Sequence, residues 1–379
     1  MFLGDLGVLG GLKVKVQLTY QQFDLPLKHV FTISRGSVAV QETLIVQLAD
    51  GGQFGYGEAT TNSFYGATIA NMSAAIESVR PLVESASLAE PLELIAAIAA
   101  RLSGVEDDPA RSNPKYTNFA LSALDQAIHD LWGKLRGAPV YRLWGLSTEK
   151  IPLSDYTLGI DTTEKMVAKL KEMPGWPVYK IKTGTPDDLA MIRELRRHTD
   201  APFRVDANCG WTADQTVELA PLLKKLGVEF IEQPLPPEDV EGARRSFAGS
   251  ALPLFADESC VTEEDVDRCA GRFHGINIKL VKCGGLAAAR RMIARARELG
   301  LAVMAGCMTE STVGISALAQ LLPLLDYVDM DGAVLLAKDI ATGVRLERGR
   351  CIYPEVNGTG VQMIDGPFDV SRKGAKAPS

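Results

Sequence analysis

The chain has no run of about 18 apolar residues, which excludes a membrane-spanning helix. Basic residues are not in excess: 40 Lys and Arg stand against 47 Asp and Glu, a formal charge of −7. Nucleic acid and anionic membranes are therefore poor partners. Only four histidines occur in 379 residues. The six cysteines (Cys209, Cys260, Cys269, Cys283, Cys307, Cys351) form no CxxC pair and have no histidine at zinc-site spacing. Free thiols in a reducing cytoplasm are the reading this favours. The opening MFLGDLGVLGGLKVK is apolar, yet it lacks a basic region and carries Asp5, which makes a poor signal peptide. No G-x-G-x-x-G follows a strand-like segment, since GTPDD after KIK lacks that spacing. A dinucleotide-binding open sheet thus loses its main signature.

What is present describes an ordinary soluble globular protein, 46% apolar and 23% charged. The length suits one large domain with a smaller one, and the sequence is compatible with a homo-oligomer. Residues 12–23 and 38–51 alternate apolar and polar and predict antiparallel strands, with DLPLKHVFTISRGS between them as a polar loop carrying Arg35. Helical periodicity is predicted over 67–84, 92–103 and Thr117–Leu135, the last ended by Gly137 and Pro139. These pieces make residues 1–135 a small α+β capping unit. From Ile151 the texture becomes strand-then-helix. Eight candidate strands fall near 152–159, 178–183, 203–207, 228–232, 254–258, 275–280, 302–306 and 327–331. Such alternation implies parallel strands joined by right-handed crossovers, and eight units close most naturally into a (β/α)₈ barrel over residues 136–340. Residues 341–379 are expected to pack back toward the first domain and to end in a disordered SRKGAKAPS.

The strands near 180–280 end on charges: Lys180 and Lys182, Asp206, Glu232, Asp257 and Lys279. A charge at the end of a buried strand is costly unless it is paired, metal-bound or used in chemistry. Asp206, Glu232 and Asp257 lie on neighbouring strands, and three carboxylates without His or Cys suit a hard cation, Mg²⁺ first and Mn²⁺ second. Lys182 ends the second strand and Lys279 the sixth, four apart in a ring of eight. They therefore face each other across the mouth, a geometry for taking a proton from one face of a carbon and returning one to the other. A base must be neutral near pH 7, and Lys180 beside Lys182, with a metal close by, offers a way to lower its pKa. Asp329 and Asp331 in YVDMDG share a face at the end of strand eight, opposite Glu232. Placed away from the metal, they suit a substrate ammonium, hence a bipolar molecule such as a dipeptide. A glycosidase using two of the carboxylates, or a non-catalytic binding protein, stays open at this point.

The motifs KIKTG, VDAN, IEQP, ADES and NIKLVKCGG, in this order, resemble the muconate-lactonizing subgroup of the enolase superfamily. The resemblance extends over nearly the whole chain, including GYGEA and ALDQAIHDLWGKL, but not the apolar start. It implies an enolase-like modified TIM barrel with an N-terminal cap, and Lys or His bases working with Mg²⁺. DMDG resembles the Asp-x-Asp of the subgroup's dipeptide epimerases, where it holds the dipeptide's α-ammonium group. Carried over, Asp206, Glu232 and Asp257 are the metal ligands, and Lys182 and Lys279 the acid/base pair, with Lys180 tuning the first. Thr157, Arg35 and Met308 join Asp329 and Asp331 as substrate-binding residues. In relatives acting on Ala-Glu, the residue matching Arg35 faces the second side chain. In GCMTES, Cys307 and Thr309 stand where relatives often carry Ser and Ile, so side-chain specificity is left open. The resemblance also admits o-succinylbenzoate synthase, N-acylamino-acid racemase and cycloisomerase activities on the same scaffold.

Overall fold

A computed structural model describes residues 16–88, 91–103 and 115–369. The apolar start, with the beginning of the strand predicted at 12–23, and the SRKGAKAPS tail lie outside the described residues.

Three antiparallel strands open the fold: β1 (Gln17–Ile33), β2 (Gly36–Asp50) and β3 (Gln53–Thr60), in the order β1-β2-β3. The segment DLPLKHVFTISRGS, expected as a loop, is instead mostly strand. It belongs to a long β1–β2 hairpin whose register slips between Pro26 and Phe31 and whose turn carries Arg35. Most of this extension is exposed or half-buried, so no strict apolar alternation marks it as strand. Helices α1 (Ile69–Ser85), α2 (Pro91–Ser103) and α3 (Lys115–Arg136) follow. A reciprocal capping box between Thr68 and Asn71 starts α1. Along α3, Phe119, Ala120, Ala123, Leu124, Ala127, Ile128 and Leu131 recur at helical spacing, and all are fully buried. This face lies directly on β3. A Cβ at Gly57 would sit 2.0 Å from the Ala123 carbonyl oxygen, so glycine is what allows the contact.

Eight parallel strands come next: β4 (Tyr156–Leu158), β5 (Tyr179–Lys182), β6 (Phe203–Asp206), β7 (Val228–Glu232), β8 (Leu254–Ala256), β9 (Gly275–Lys279), β10 (Ala302–Gly306) and β11 (Tyr327–Asp329). They pair strictly in sequence order, and a parallel bridge from Ser154 to Val328 joins the first edge to the last. The expected barrel is thus what forms, with the intervening helices outside it. Their contact layer is the largest apolar cluster, contributed among others by Ile181, Val205, Ile231, Ile276, Ile278 and Val303, while Phe230, Phe255 and Met304 form a separate small cluster.

Two carboxylates of the first unit seat it on the barrel. Asp125 of α3 accepts from the backbone N–H of Leu286 and Ala287, at 2.8 and 3.1 Å, where the helix Leu286–Glu298 begins. Glu58 of β3 accepts from Ser311 and Gly314 N–H at the start of Thr312–Ala319. Orphan donors at a helix start, and the positive end of its dipole, make each a favourable seat for an anion. Gly285, at φ +113°, precedes the first of these helices, and a Cβ there would come within 2.5 Å of the Asp125 side chain. Toward the end of the chain, Phe368 rests on Phe23 and Tyr56, and its N–H donates to Gln47 Oε1.

Candidate active site

Register puts the charged strand ends in one layer. Lys182 pairs across the ladder with Asp206, Asp206 with Glu232, and Gly306 with both Lys279 and Asp329. Parallel strands expose their last carbonyls and side chains at one end, so this layer floors the barrel mouth. Above it opens a cavity of about 400 Å³, within the usual size of small-molecule sites. Thr157, Lys182, Asp257, Lys279, Met308, Asp329 and Asp331 line it from the barrel, with Arg35 and Phe64 from the cap. Lys180, Asp206 and Glu232 lie just below, without measurable exposure.

The layer is a continuous charge network. Lys182 Nζ lies 2.6 Å from Asp206 Oδ2, and Lys279 Nζ lies 2.9 Å from Asp257 Oδ2. Lys180 Nζ sits 2.7 Å from Asp329, 2.8 Å from Glu232 and 3.4 Å from Asp206. This corrects one expectation. Asp329 is not set apart from the other carboxylates, because one lysine ties it to Glu232 and Asp206. The interior of an eight-stranded barrel is only wide enough for side chains to fill, so a four-carbon lysine reaches across it. Lys180's own charge is accordingly compensated by three anions, so it does not act on Lys182 as a lone cation.

Burial dominates the protonation equilibria and the charged partners decide their sign. Burial alone would lower Lys180 and Lys279. Three carboxylates reverse this for Lys180, and Asp257 reverses it for Lys279, so both are raised. Asp206 and Asp257 resist the upward push of burial because lysines hold them down: Lys182 and Lys180 for the first, Lys279 and Lys282 for the second. Glu232 is pushed to about 7 by burial and by Asp206. Asp331 rises to about 8 through burial and Asp329, whereas Lys180 keeps Asp329 low. Asp331 accepts from Thr157 N–H at 2.6 Å and from its hydroxyl at 3.3 Å.

Asp206, Glu232 and Asp257 place carboxylate oxygens within 4.8 Å of one another. Among the described residues, Glu232 Oε2, although buried, has no donor in hydrogen-bonding geometry; the nearby Lys180 ammonium is a charge contact only. Three convergent hard oxygens, one of them short of a partner, fit a divalent cation of the Mg²⁺ type.

Four supporting residues escaped the sequence reading. Lys282 Nζ, fully buried, contacts Asp257 Oδ1 and the carbonyls of Asp257, Cys260 and Asn277. Asn277 donates to Glu232 Oε1 at 2.7 Å. Its place two residues before Lys279 on the same strand face was a usable signal. Gln233 Oε1 accepts from Asp257 and Ser259 N–H, which fixes the turn that presents Asp257. Glu258 pairs with Arg35 at 2.6 Å.

Two family models match the chain: the mandelate racemase / muconate lactonizing enzyme N-terminal domain over residues 15–145, and the enolase C-terminal domain-like model over 163–366. The chain belongs to this family. Among its relatives is the L-Ala-D/L-amino acid epimerase of Flavobacterium johnsoniae, 50% identical over 349 residues, covering 92% of this chain and all of that one. The L-Ala-D/L-Glu epimerase of Bacteroides thetaiotaomicron is 38% identical, with 93% and 90% of the two chains covered. A dipeptide epimerase from Methylococcus capsulatus, solved with Mg and L-Arg-D-Lys, superposes with a TM-score of 0.82 at 31% identity, covering 92% of this chain and 99% of that one.

Proposed function

We propose that the protein is a Mg²⁺-dependent dipeptide epimerase that inverts the α-carbon of the C-terminal residue, converting an L,L-dipeptide to the L,D form. The observation that carries this is the placement of Lys182 and Lys279 on β5 and β9, opposite strands of the ring, both lining one cavity. One lysine removes the α-proton and the other delivers a proton to the opposite face. Asp206, Glu232 and Asp257 are the residues to hold the metal, and Asn277, Gln233 and Lys282 orient them. A bound Mg²⁺, with Mn²⁺ as second choice, would supply positive charge to the substrate carboxylate as it gains enediolate character. Asp329 and Asp331, steadied by Thr157, receive the substrate ammonium on the β11 side of the cavity. The hairpin tip at Arg35 and the loop at Phe64 cover the mouth and exclude water.

Six free thiols support a reducing, cytoplasmic setting, and no helix among the described residues is long and apolar enough to cross a membrane. The working division is a cap over 1–135, a barrel over 136–340 and a returning segment over 341–379.

The test is α-proton exchange in D₂O followed by mass spectrometry on L,L-dipeptides. Lys182→Ala and Lys279→Ala should each abolish epimerisation, while each retains exchange with only one stereoisomer. Normal epimerisation by both variants would sink the two-base scheme. Faster exchange with N-acetylated than with free dipeptides would remove the role given to Asp329 and Asp331.

A further inference from the structure

The turn that closes β10 brings a thiol to the cavity. Cys307, one residue past that strand, donates its N–H to the Asp329 carbonyl at 2.9 Å, which pins it to the end of β11. Its sulfur and one carboxylate oxygen each of Asp329 and Asp331 lie within 4.8 Å of one another. All three side chains line the cavity, although Cys307 is only 9% exposed. Cys269 and Cys283 donate their thiols to backbone carbonyls, whereas among the described residues the Cys307 thiol donates to no acceptor. Asp331 is aimed by the Thr157 N–H at 2.6 Å. The Lys180 ammonium, 2.7 Å from Asp329 and 2.8 Å from Glu232, stands between this group and the three carboxylates suited to Mg²⁺. The two groups are therefore separate sites.

A thiol with two carboxylates is a different donor set from three carboxylates. Thiolate sulfur is soft and favours Zn²⁺ over Mg²⁺, and three protein ligands leave a fourth position for water from the cavity. We propose that Cys307, Asp329 and Asp331 form a second metal site, which takes a thiophilic divalent cation of the Zn²⁺ class and thereby blocks the pocket. Near neutral pH two protons occupy the place of that cation. Burial, with Asp329 and Asp331 beside it, holds the thiol above its usual range, and burial with Asp329 raises Asp331 to about 8. Coordination deprotonates a thiol outright. Exchanging both protons for one divalent cation leaves the charge of the pocket unchanged, so the surrounding ion network keeps its balance. Given the dipeptide reading, on which this step rests, the cation sits where the substrate ammonium would, and the two exclude each other. Cys307 stands where relatives often carry Ser, whose hydroxyl is the poorer ligand, so the site belongs to this thiol.

The probe is Co²⁺, added to the full-length protein with Mg²⁺ in excess so that the three-carboxylate set is occupied. Thiolate coordination gives a sulfur-to-cobalt charge-transfer band in the near ultraviolet. The wild-type protein should show that band, Cys307→Ser should lose it, and Cys209→Ser, at the half-buried cysteine, should keep it. Zn²⁺ should raise KM for an L,L-dipeptide in α-proton exchange, and Cys307→Ser should raise the Zn²⁺ concentration for half-inhibition at least tenfold. No band in the wild-type protein, or a band that survives in Cys307→Ser, overturns the site. If Cys307→Ser does not fold, Asp331→Asn decides: the band should then need at least tenfold more Co²⁺, and an unchanged affinity overturns the site. A band that saturating dipeptide leaves in place overturns the exclusion of the ammonium. Absence of exchange with every dipeptide, with the band present, overturns the functional reading and upholds the metal site, so the two failures are distinguishable.

Discussion

Lys282 tests whether the site depends on its buried supports. Its side chain has no exposure, and Nζ lies 2.5 Å from Asp257 Oδ1, 2.6 Å from the Asp257 carbonyl and 3.1 Å from that of Cys260. Lys282→Met keeps most of the volume and removes the charge. Asp257 then retains Lys279 as its ammonium partner at 2.9 Å, and buried carbonyls lose a donor. Breaking a buried ion pair from one side costs about 3–5 kcal/mol, because the remaining charge stays desolvated. A group with two ammonium partners loses less than one left alone, which favours the lower end of that range. At about 2–4 °C per kcal/mol for a domain of this size, the melting temperature should fall by roughly 6–12 °C. Lys165→Met is the control. Its pair with Asp161 is 67% exposed on the lysine side, and such pairs contribute about 0–1 kcal/mol. Thermal melts followed by circular dichroism make the comparison. Exchange activity should fall as well, since Asp257 loses the contact that aims it. A Lys282→Met protein that melts within about 2 °C of the control would refute the premise that buried pairing holds the metal-type carboxylates in place.

Glu310 offers a pH test away from those carboxylates. Burial, then repulsion from Glu58, pushes it to about 8, and it accepts from Met308 N–H at 2.9 Å. An acid raised on folding binds more protons in the native state, so its contribution makes stability fall as pH climbs from its unfolded value, about 4.3, to about 8. Glu310→Gln removes that dependence. Its melting temperature relative to wild type should rise between pH 5.5 and 8.5, and a difference that stays flat would show that Glu310 is ionised throughout. Metal removal provides a further check: EDTA should abolish α-proton exchange, with Mg²⁺ restoring it and Mn²⁺ substituting, whereas activity surviving EDTA would favour a glycosidase-type use of the carboxylates.

How much could be read in the chain depended on where each residue's neighbours come from. The barrel strands were legible because each is an apolar segment closed by a charge, and burial on both faces leaves few other uses for such a pattern. Strand counting then placed Lys182 opposite Lys279, because parallel pairing in sequence order fixes angular position without any side-chain information. The hairpin extension from Asp24 to Ser37 was not legible. Its largely solvated flanks produce no strict alternation, although its tip delivers Arg35 to the pocket.

Glu258 was hidden for a different reason. Strand β8 ends at Ala256, so the inward-outward alternation that places Asp206 and Lys279 no longer applies two residues later. The same break occurs after β6, where Asn208 and Cys209 adopt φ of +43° and +65°. Both turns carry residues that receive the hairpin tip: the Asn208 carbonyl and the Glu258 carboxylate each bind Arg35. The proton-transfer machinery thus sits where strand periodicity still governs. The contacts that hold the hairpin tip sit two residues beyond, where backbone turns govern instead. Substitutions in those turns and in the hairpin can therefore alter how the tip sits over the pocket while leaving the lysine and carboxylate layer in register.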